Sequence, residues 1–423
     1  MHTLSFVVSS GVCSVLAAQG VIQPVVPNNV PELGIATISH NANGQPIGAI
    51  GQYELRPIGA GHYRTVLTVQ LQGGLDSQLV AGTVDLTTPS PTWQPNHDLD
   101  ALNQANSSPD ESQGSMSADG LAIVWDNLEG ATYPAVPMPR HSFVCRRATS
   151  SVPFAASAVR AIAGVPGSGV NPHIGAEFAN GHLLLFFVDA TGGISKGDLD
   201  PISGIVTGIS VAAHRSNHVN LNYAYAPFVQ RDSTGAPRAL SFTEYYGTPP
   251  NDWSSGFWTA GIDDDGSPTM LANGAPGGVP TYCYSNPAVV GGSWLWATEG
   301  ASFGDPSLFE GNAIANTDLR SGSGRIVAFA PVRPGGGAPL YSLVGIGVPA
   351  APFPVPPVIG SLLLLPTIGI SDLRLHDADT GLAEWTFTGV PTGLGGPFVA
   401  QVVTLDLGTG RLIAGNAAAL LVP

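Results

Sequence analysis

Lysine is nearly missing from this chain. Of 423 residues only Lys196 is a lysine, and Lys and Arg together number 15 against 30 Asp and Glu. A formal net charge of −15 excludes nucleic acid as a natural partner, because phosphate binding needs a basic surface. It also disfavours polyanionic substrates and anionic membranes, and leaves neutral or cationic ligands. Cysteine is scarce, with Cys13, Cys145 and Cys283. The last two stand about two repeats apart, which points to two buried thiols rather than a disulfide framework. Long apolar runs are missing too. The best, Val358 to Ile370, is too short and is broken by Pro366, so no membrane span is expected. No stretch shows helical periodicity. The P-loop, the dinucleotide fingerprint and the zinc motif HExxH are all absent, which excludes the chemistries they carry. No cofactor and no metal is expected.

Glycine and proline are abundant, with Gly 54 and Pro 37, while charged residues make up 11%. That texture predicts many short strands joined by tight turns. The first 19 residues read as a secretory signal peptide. Leu4 to Leu16 is apolar and small, and a small-residue cleavage site follows near Ala18, although no Lys or Arg precedes the apolar stretch. The chain is therefore expected to be secreted or held at the cell surface.

The dominant pattern is a repeat. A Gly-containing turn, an apolar strand and an acid recur, ending at Asp126, Asp189, Glu244 and Glu299, with spacings of 63, 55 and 55 residues. An acidic turn and a second strand follow each, and His62 to Pro91 supplies an earlier unit, making five. Repeats of this length with several strands each are the signature of a β-propeller. A four-stranded blade cannot bury both faces alone, but blades packed radially can. The near-continuous apolar runs LAIVW and LLLFFV fit strands buried on both faces. The fold class expected is all-β: a five-bladed β-propeller with a C-terminal β-sandwich.

The segments SMSADGLAIVW with SFVCRRA, and EFANGHLLLFFVDATGGISKGDLD, resemble the TolB or WD40-like propeller repeat over Gly48 to Phe329. Later units depart from it, with DSTG and VGG in place of Asp-Gly. The architecture is similar to five-bladed propellers of the arabinanase and fructosidase type, which cleave glycosidic bonds with acids from different blades. The resemblance implies a fold, and such repeats serve enzymes, receptors and scaffolds alike. The organisation expected is a signal peptide (1–19), a propeller (30–330), a Pro/Gly linker (331–340) and a β-sandwich (341–423).

Ligands of propellers bind where the innermost strands begin. Reading back from each Gly turn gives Glu111 and Gln113, then His173 and Glu177, then Tyr225, then Ser285 and Asn286. Glu111 and Glu177 are the candidate catalytic pair, one carboxyl protonating a glycosidic oxygen and the other activating water or attacking. Gln113, His173, Tyr225 and Asn286 are candidate binding residues. Trp253, beside a Pro-Pro-Asn-Asp loop, is a candidate platform for a sugar ring. The four recurring acids read as caps on the turns that follow them. His214 and His218 lie four apart in a probable loop, where that spacing makes no chelate. The function expected is a carbohydrate-binding or carbohydrate-cleaving propeller with a neutral glycan as ligand. The alternative is a non-catalytic platform for another extracellular protein. A third reading, a metal-dependent lyase or hydrolase, requires histidine nitrogens to converge in the channel.

Overall fold

The computed structural model describes residues 37–420 apart from connecting segments, the longer of which are 86–91, 214–220, 247–253, 277–283, 299–306, 330–338 and 389–397. The proposed signal peptide and Trp253 lie outside the described residues.

The chain is almost wholly β. Its first sheet is β1 (Ile47–Gly59), β2 (His62–Leu71), β3 (Ser77–Asp85) and β4 (Thr92–Asn96), in that spatial order. A short helix, α1 (Asp100–Ala105), leads to β5 (Glu111–Met116), β6 (Ala122–Tyr133), β7 (Val136–Arg146) and β8 (Arg160–Ala161). The third sheet is β9 (Val170–Glu177), β10 (Leu183–Val188), β11 (Ile194–Asp200) and β12 (Ile205–Ala213). The fourth is β13 (Leu221–Arg231), β14 (Pro237–Tyr246), β15 (Ser254–Gly261) and β16 (Asn273–Pro276). The fifth has three strands, β17 (Tyr284–Val290), β18 (Ser293–Thr298) and β19 (Ser307–Glu310). In all five, spatial order follows chain order, the mark of hairpin-linked antiparallel meanders. The turn between β9 and β10 needs a positive φ, which Gly181 supplies at +82°.

The first strands touch one another in a cycle. β1 meets β5, β5 meets β9, β9 meets β13, β13 meets β17, and β17 returns to β1. Between the sheets lie apolar cores that account for the run LLLFFV. Leu183, Leu185 and Phe187 of β10 pack with Ala122, Val124 and Val144 of the second sheet. Leu184, Phe186 and Val188, the alternate residues, pack with Val229, Leu240 and Phe242 of the fourth. Strand β6 does the same. Ile123 and Trp125 join Val66, Leu79 and Ala81 of the first sheet, where Trp125 stacks on Phe143 with ring centroids 5.5 Å apart. Side chains alternate across a strand, so a strand with both faces covered must be apolar at every position.

Cys145 is a buried free thiol in this core, and burial pushes its pKa up to about 12. Cys283 lies outside the described residues. Of the recurring acids, Asp189 caps its turn as expected, accepting from Thr191 N at 2.8 Å and from Ser195 Oγ at 2.6 Å. Asp126 does not cap a turn. It lies inside β6 and is 1% exposed, because that strand runs on past it to Tyr133. Glu244 is likewise inside β14, and Glu299 lies outside the described residues.

The last unit joins strands from both sides of the Pro331–Leu340 stretch. β20 (Ala313–Arg320) pairs with β21 (Ser323–Phe329). The other strands are β22 (Leu340–Pro354), β23 (Val358–Ile359), β24 (Ser361–Ile370), β25 (Arg374–Leu375), β26 (Leu382–Thr388), β27 (Phe398–Asp406) and β28 (Arg411–Leu420). β26 pairs with β21, and the rest form a sheet around β22 and β27. Ile326 and Trp385 pack against Val344, Ala400 and Val402, so the two sheets share one core. Among the described residues no helix is long and apolar enough to cross a membrane.

Candidate functional site

Four first strands carry the same irregularity. The pairing slips between Ser112 and Ser115 in β5, between Val170 and His173 in β9, between Tyr225 and Phe228 in β13, and between Ser285 and Ala288 in β17. Inside each slip stands a residue that weakens a ladder: Gly114, Pro172, Pro227 and Pro287, spaced 58, 55 and 60 residues apart. Proline lacks the N–H that a ladder needs, and glycine lacks a side chain to pack, so both mark bulges. At Gly114 the fit allows nothing larger, since a Cβ would lie 2.5 Å from Val66 Cγ1. Gln113 and Asn171 take left-handed backbone, with φ 45° and 59°, which is uncommon outside glycine. A bulge re-aims side chains, and here it does so at one level of the ring.

Buried polar groups gather at this level. Glu111 opens β5 and is 1% exposed. Asn106 Nδ2 donates to its Oε1, while Oε2 has no hydrogen-bond partner among the described residues. Burial, reinforced by the like charges of Asp110 and Asp76, pushes its pKa up to about 8. Asp126 lies one step away across β5 and β6, where Glu111 faces Asn127 and Ser112 faces Asp126. It accepts from Ser142 Oγ at 2.6 Å and from Asn171 N, yet burial still lifts its pKa to about 7. Ser112 Oγ, Asn127 Oδ1 and Asn171 Oδ1 are also buried without a partner among the described residues. Each such group costs on the order of 1–3 kcal/mol.

Beneath the bulges, four first strands are joined by buried polar contacts. Glu54 and Arg56 of β1 form a buried pair with Nε–Oε1 2.5 Å. Ser115 Oγ donates to Glu54 Oε1 at 3.0 Å, and Met116 N donates to Oε2 at 2.5 Å. Arg56 reaches Ile174 O on β9, and Ile174 N donates to Ser115 Oγ at 2.9 Å. His173 Nε2 accepts from Val229 N of β13 at 3.1 Å and stands 4.0 Å from Glu54 Oε1. Burial raises the Glu54 pKa, opposed by Arg56 and the donors around it. Arg56 Nη1 has no hydrogen-bond partner among the described residues. A buried ion pair is poor value as mere glue, because desolvation offsets much of the attraction.

The proposed catalytic pair is not brought together. Asn171 meets Asp126 beside Ser112, Ile174 meets Ser115, and Glu177 Oε1 accepts from Ala118 N. β9 therefore runs alongside β5 in the same direction. Glu111 stands at the start of one strand and Glu177 at the end of the other. Seven residues of rise separate them, roughly 20 Å at ~3.3 Å per residue. Glycoside hydrolysis needs carboxyls about 5–10 Å apart. Gln113 stands inside the slip of β5, two residues after Glu111, and His173 stands just past the slip of β9, 4.0 Å from Glu54. Tyr225 and Asn286 occupy the matching register in β13 and β17. His214 and His218 lie outside the described residues. Among the described residues, no group of three or more His, Cys, Asp or Glu is placed to hold a metal ion.

No protein-family model and no curated protein matches the chain. Solved structures give distant likenesses. The Bacteroides ovatus xyloglucan PUL GH43B is 11% identical over 88% of this chain and 90% of its own, with a TM-score of 0.38. An endo-arabinase from Bacteroides thetaiotaomicron is 12% identical over 62% and 93%, with a TM-score of 0.38. An exo-inulinase from Aspergillus awamori is 8% identical over 88% and 92%, with a TM-score of 0.36. Likeness at this level assigns neither family nor activity to this chain.

Reading back from the Gly turns named Glu111, Gln113 and His173 but not the buried Glu54, Arg56, Asp126 and Asn171. The signal that locates Asn171 was present: an amide followed by Gly or Pro, at Gln113-Gly114, Asn171-Pro172 and Asn286-Pro287.

Proposed function

We propose that the five cyclic sheets are the blades of a five-bladed β-propeller, that the last unit is a C-terminal β-sandwich, and that the protein is secreted. In this reading it binds, or binds and cleaves, a neutral carbohydrate at the bulged ends of β5, β9, β13 and β17. One observation carries the reading: a bulge repeated at one level of four first strands, with buried oxygens of Glu111, Ser112, Asn127 and Asn171 that have no partner among the described residues. Sugar hydroxyls both donate and accept, and so complete such a set. Glu111 and Asp126 have pKa values at or above neutrality, and an uncharged ligand adds no anion to that neighbourhood.

The roles follow from the chemistry. Gln113, Asn171, Tyr225 and Asn286 contact the ligand. Glu111, protonated at neutral pH, donates to a sugar oxygen, and in a cleaving enzyme it is the general acid. Asp110 and Asp76 are the carboxylates whose charge it feels. Glu54, Arg56, Ser115 and His173 hold the first strands in register below. The alternative, a non-catalytic platform for another extracellular protein, draws support from the separation of Glu111 and Glu177.

A neutral-glycan array, run on the wild type beside Glu111→Ala, tests the reading. The expected result is retention of at least one neutral glycan, reduced roughly tenfold in the variant by loss of the Glu111 donor. A folded protein that retains none would overturn it in favour of the platform.

A further inference from the structure

Away from the ring of first strands, a cavity of about 190 Å³, open to solvent on one side, lies between the segment around Asn41, the strands β3 and β4, and α1. It is smaller than the roughly 300–1,000 Å³ of a drug-sized site, and its lining differs as well. Gln45, Gln78, Asn96, Gln104, Asn43 and Asp100 face it, so five of these six carry uncharged amides.

Two further amides make the cavity rigid. Asn41 Oδ1 accepts from Asn43 N at 3.0 Å and from Gln45 N at 2.9 Å, and its Nδ2 donates to Gln45 Oε1 at 2.8 Å. Asn103 brackets Leu79, donating to its O at 2.8 Å and accepting from its N at 3.3 Å. Trp93 Nε1 donates to His40 O at 2.8 Å and fastens the Asn41 segment to β4. Asn43 Nδ2 fastens it to Asp100 Oδ2 at 3.0 Å. The wall is therefore built before any ligand arrives. By contrast, the side-chain amides of Gln78 and Gln104 bond no other described residue and are available at the mouth.

The geometry points to a second binding site in this cavity, for a neutral polyhydroxylated ligand of the sugar class, independent of the bulged ends of the first strands. An apolar ligand finds too few apolar walls, and an anion finds no cation among the lining residues. A hydroxyl-rich ligand pairs with amides, each of which offers both donors and an acceptor. Asp100 adds one strong acceptor, as carboxylates do for paired hydroxyls.

The test is a neutral-glycan array with the full chain, comparing wild type, Glu111→Ala and the double variant Gln78→Ala/Gln104→Ala. Gln104→Tyr, which fills the mouth from an exposed position, serves as a second variant with its own fold to vouch for it. The expected result is a glycan that wild type and Glu111→Ala retain equally, and that both cavity variants retain roughly tenfold less or not at all. If every retained glycan is lost with Glu111→Ala and kept by the cavity variants, this site is refuted while the ring site stands. If nothing is retained by any folded protein, both are refuted.

Discussion

At the scale of single residues, burial decides most of the chemistry. Glu111 is buried and feels the carboxylates of Asp110 and Asp76, so its neutral form is favoured and its pKa rises to about 8. The consequence for stability has a definite sign. Between the ordinary value of 4.5 and about 8, the folded chain keeps a proton that the unfolded chain has lost. The stabilisation is complete below 4.5 and is lost as pH rises toward 8, by at most ~1.4 kcal/mol per pH unit. Asp126 adds the same trend from 3.8 to about 7. Glu111→Gln keeps a neutral side chain at every pH, so its denaturation midpoint should fall less steeply over that window than the wild type's. Parallel curves for the two proteins would show that Glu111 titrates normally. The sequence marks Glu111, Gln113 and His173 because polar residues just before a Gly turn stand out. Glu54 and Arg56 are silent in it, since QYELRP reads as an ordinary alternating strand and only the ring brings it to Ser115 and Ile174. The distance between Glu111 and Glu177 is silent for a related reason: neither strand's ends can be seen without the bulges.

At the scale of elements, the alternation of β10 between two cores is the feature most open to test. In a strand with one face in water, truncating adjacent apolar residues gives one large loss and one small one. Here Leu185 faces the second sheet and Phe186 the fourth, and each is 0% exposed. Leu185→Ala should cost about 2–5 kcal/mol and Phe186→Ala about 3–5 kcal/mol in urea denaturation. A loss below ~1 kcal/mol at either site would mean that one face of β10 is not a packed interface. This element was legible, because an unbroken apolar run of strand length admits few other readings. The bulges were not read, although a Gly or Pro at matched places in successive repeats is a physical reason for a ladder to slip.

At the scale of the whole molecule, two arrangements matter: the closed cycle of first strands and the attachment of β20 and β21 to the last unit. Pairing of β21 with β26 places Ile326 beside Trp385, 0% and 1% exposed. Trp385→Ala should therefore raise hydrogen exchange across residues 313–329 while leaving β2, β6 and β10 protected. Unchanged exchange in β20 and β21 would contradict a shared core. The Pro/Gly stretch after Phe329 looks like a boundary in the sequence, but strand pairing reaches across it, and composition carries no record of which edge a later strand will choose. The cycle itself follows from repeat physics, since sheets apolar on both faces find cover only in one another.

The most direct measurement on the central claim is hydrogen exchange of the whole chain with and without a neutral glycan that it retains on an array. The account predicts added protection in residues 111–117 and 170–177, the bulged stretches of β5 and β9, and its loss in Glu111→Ala. Protection that appears only elsewhere, or none at saturating glycan, would contradict a carbohydrate site at the ends of the first strands.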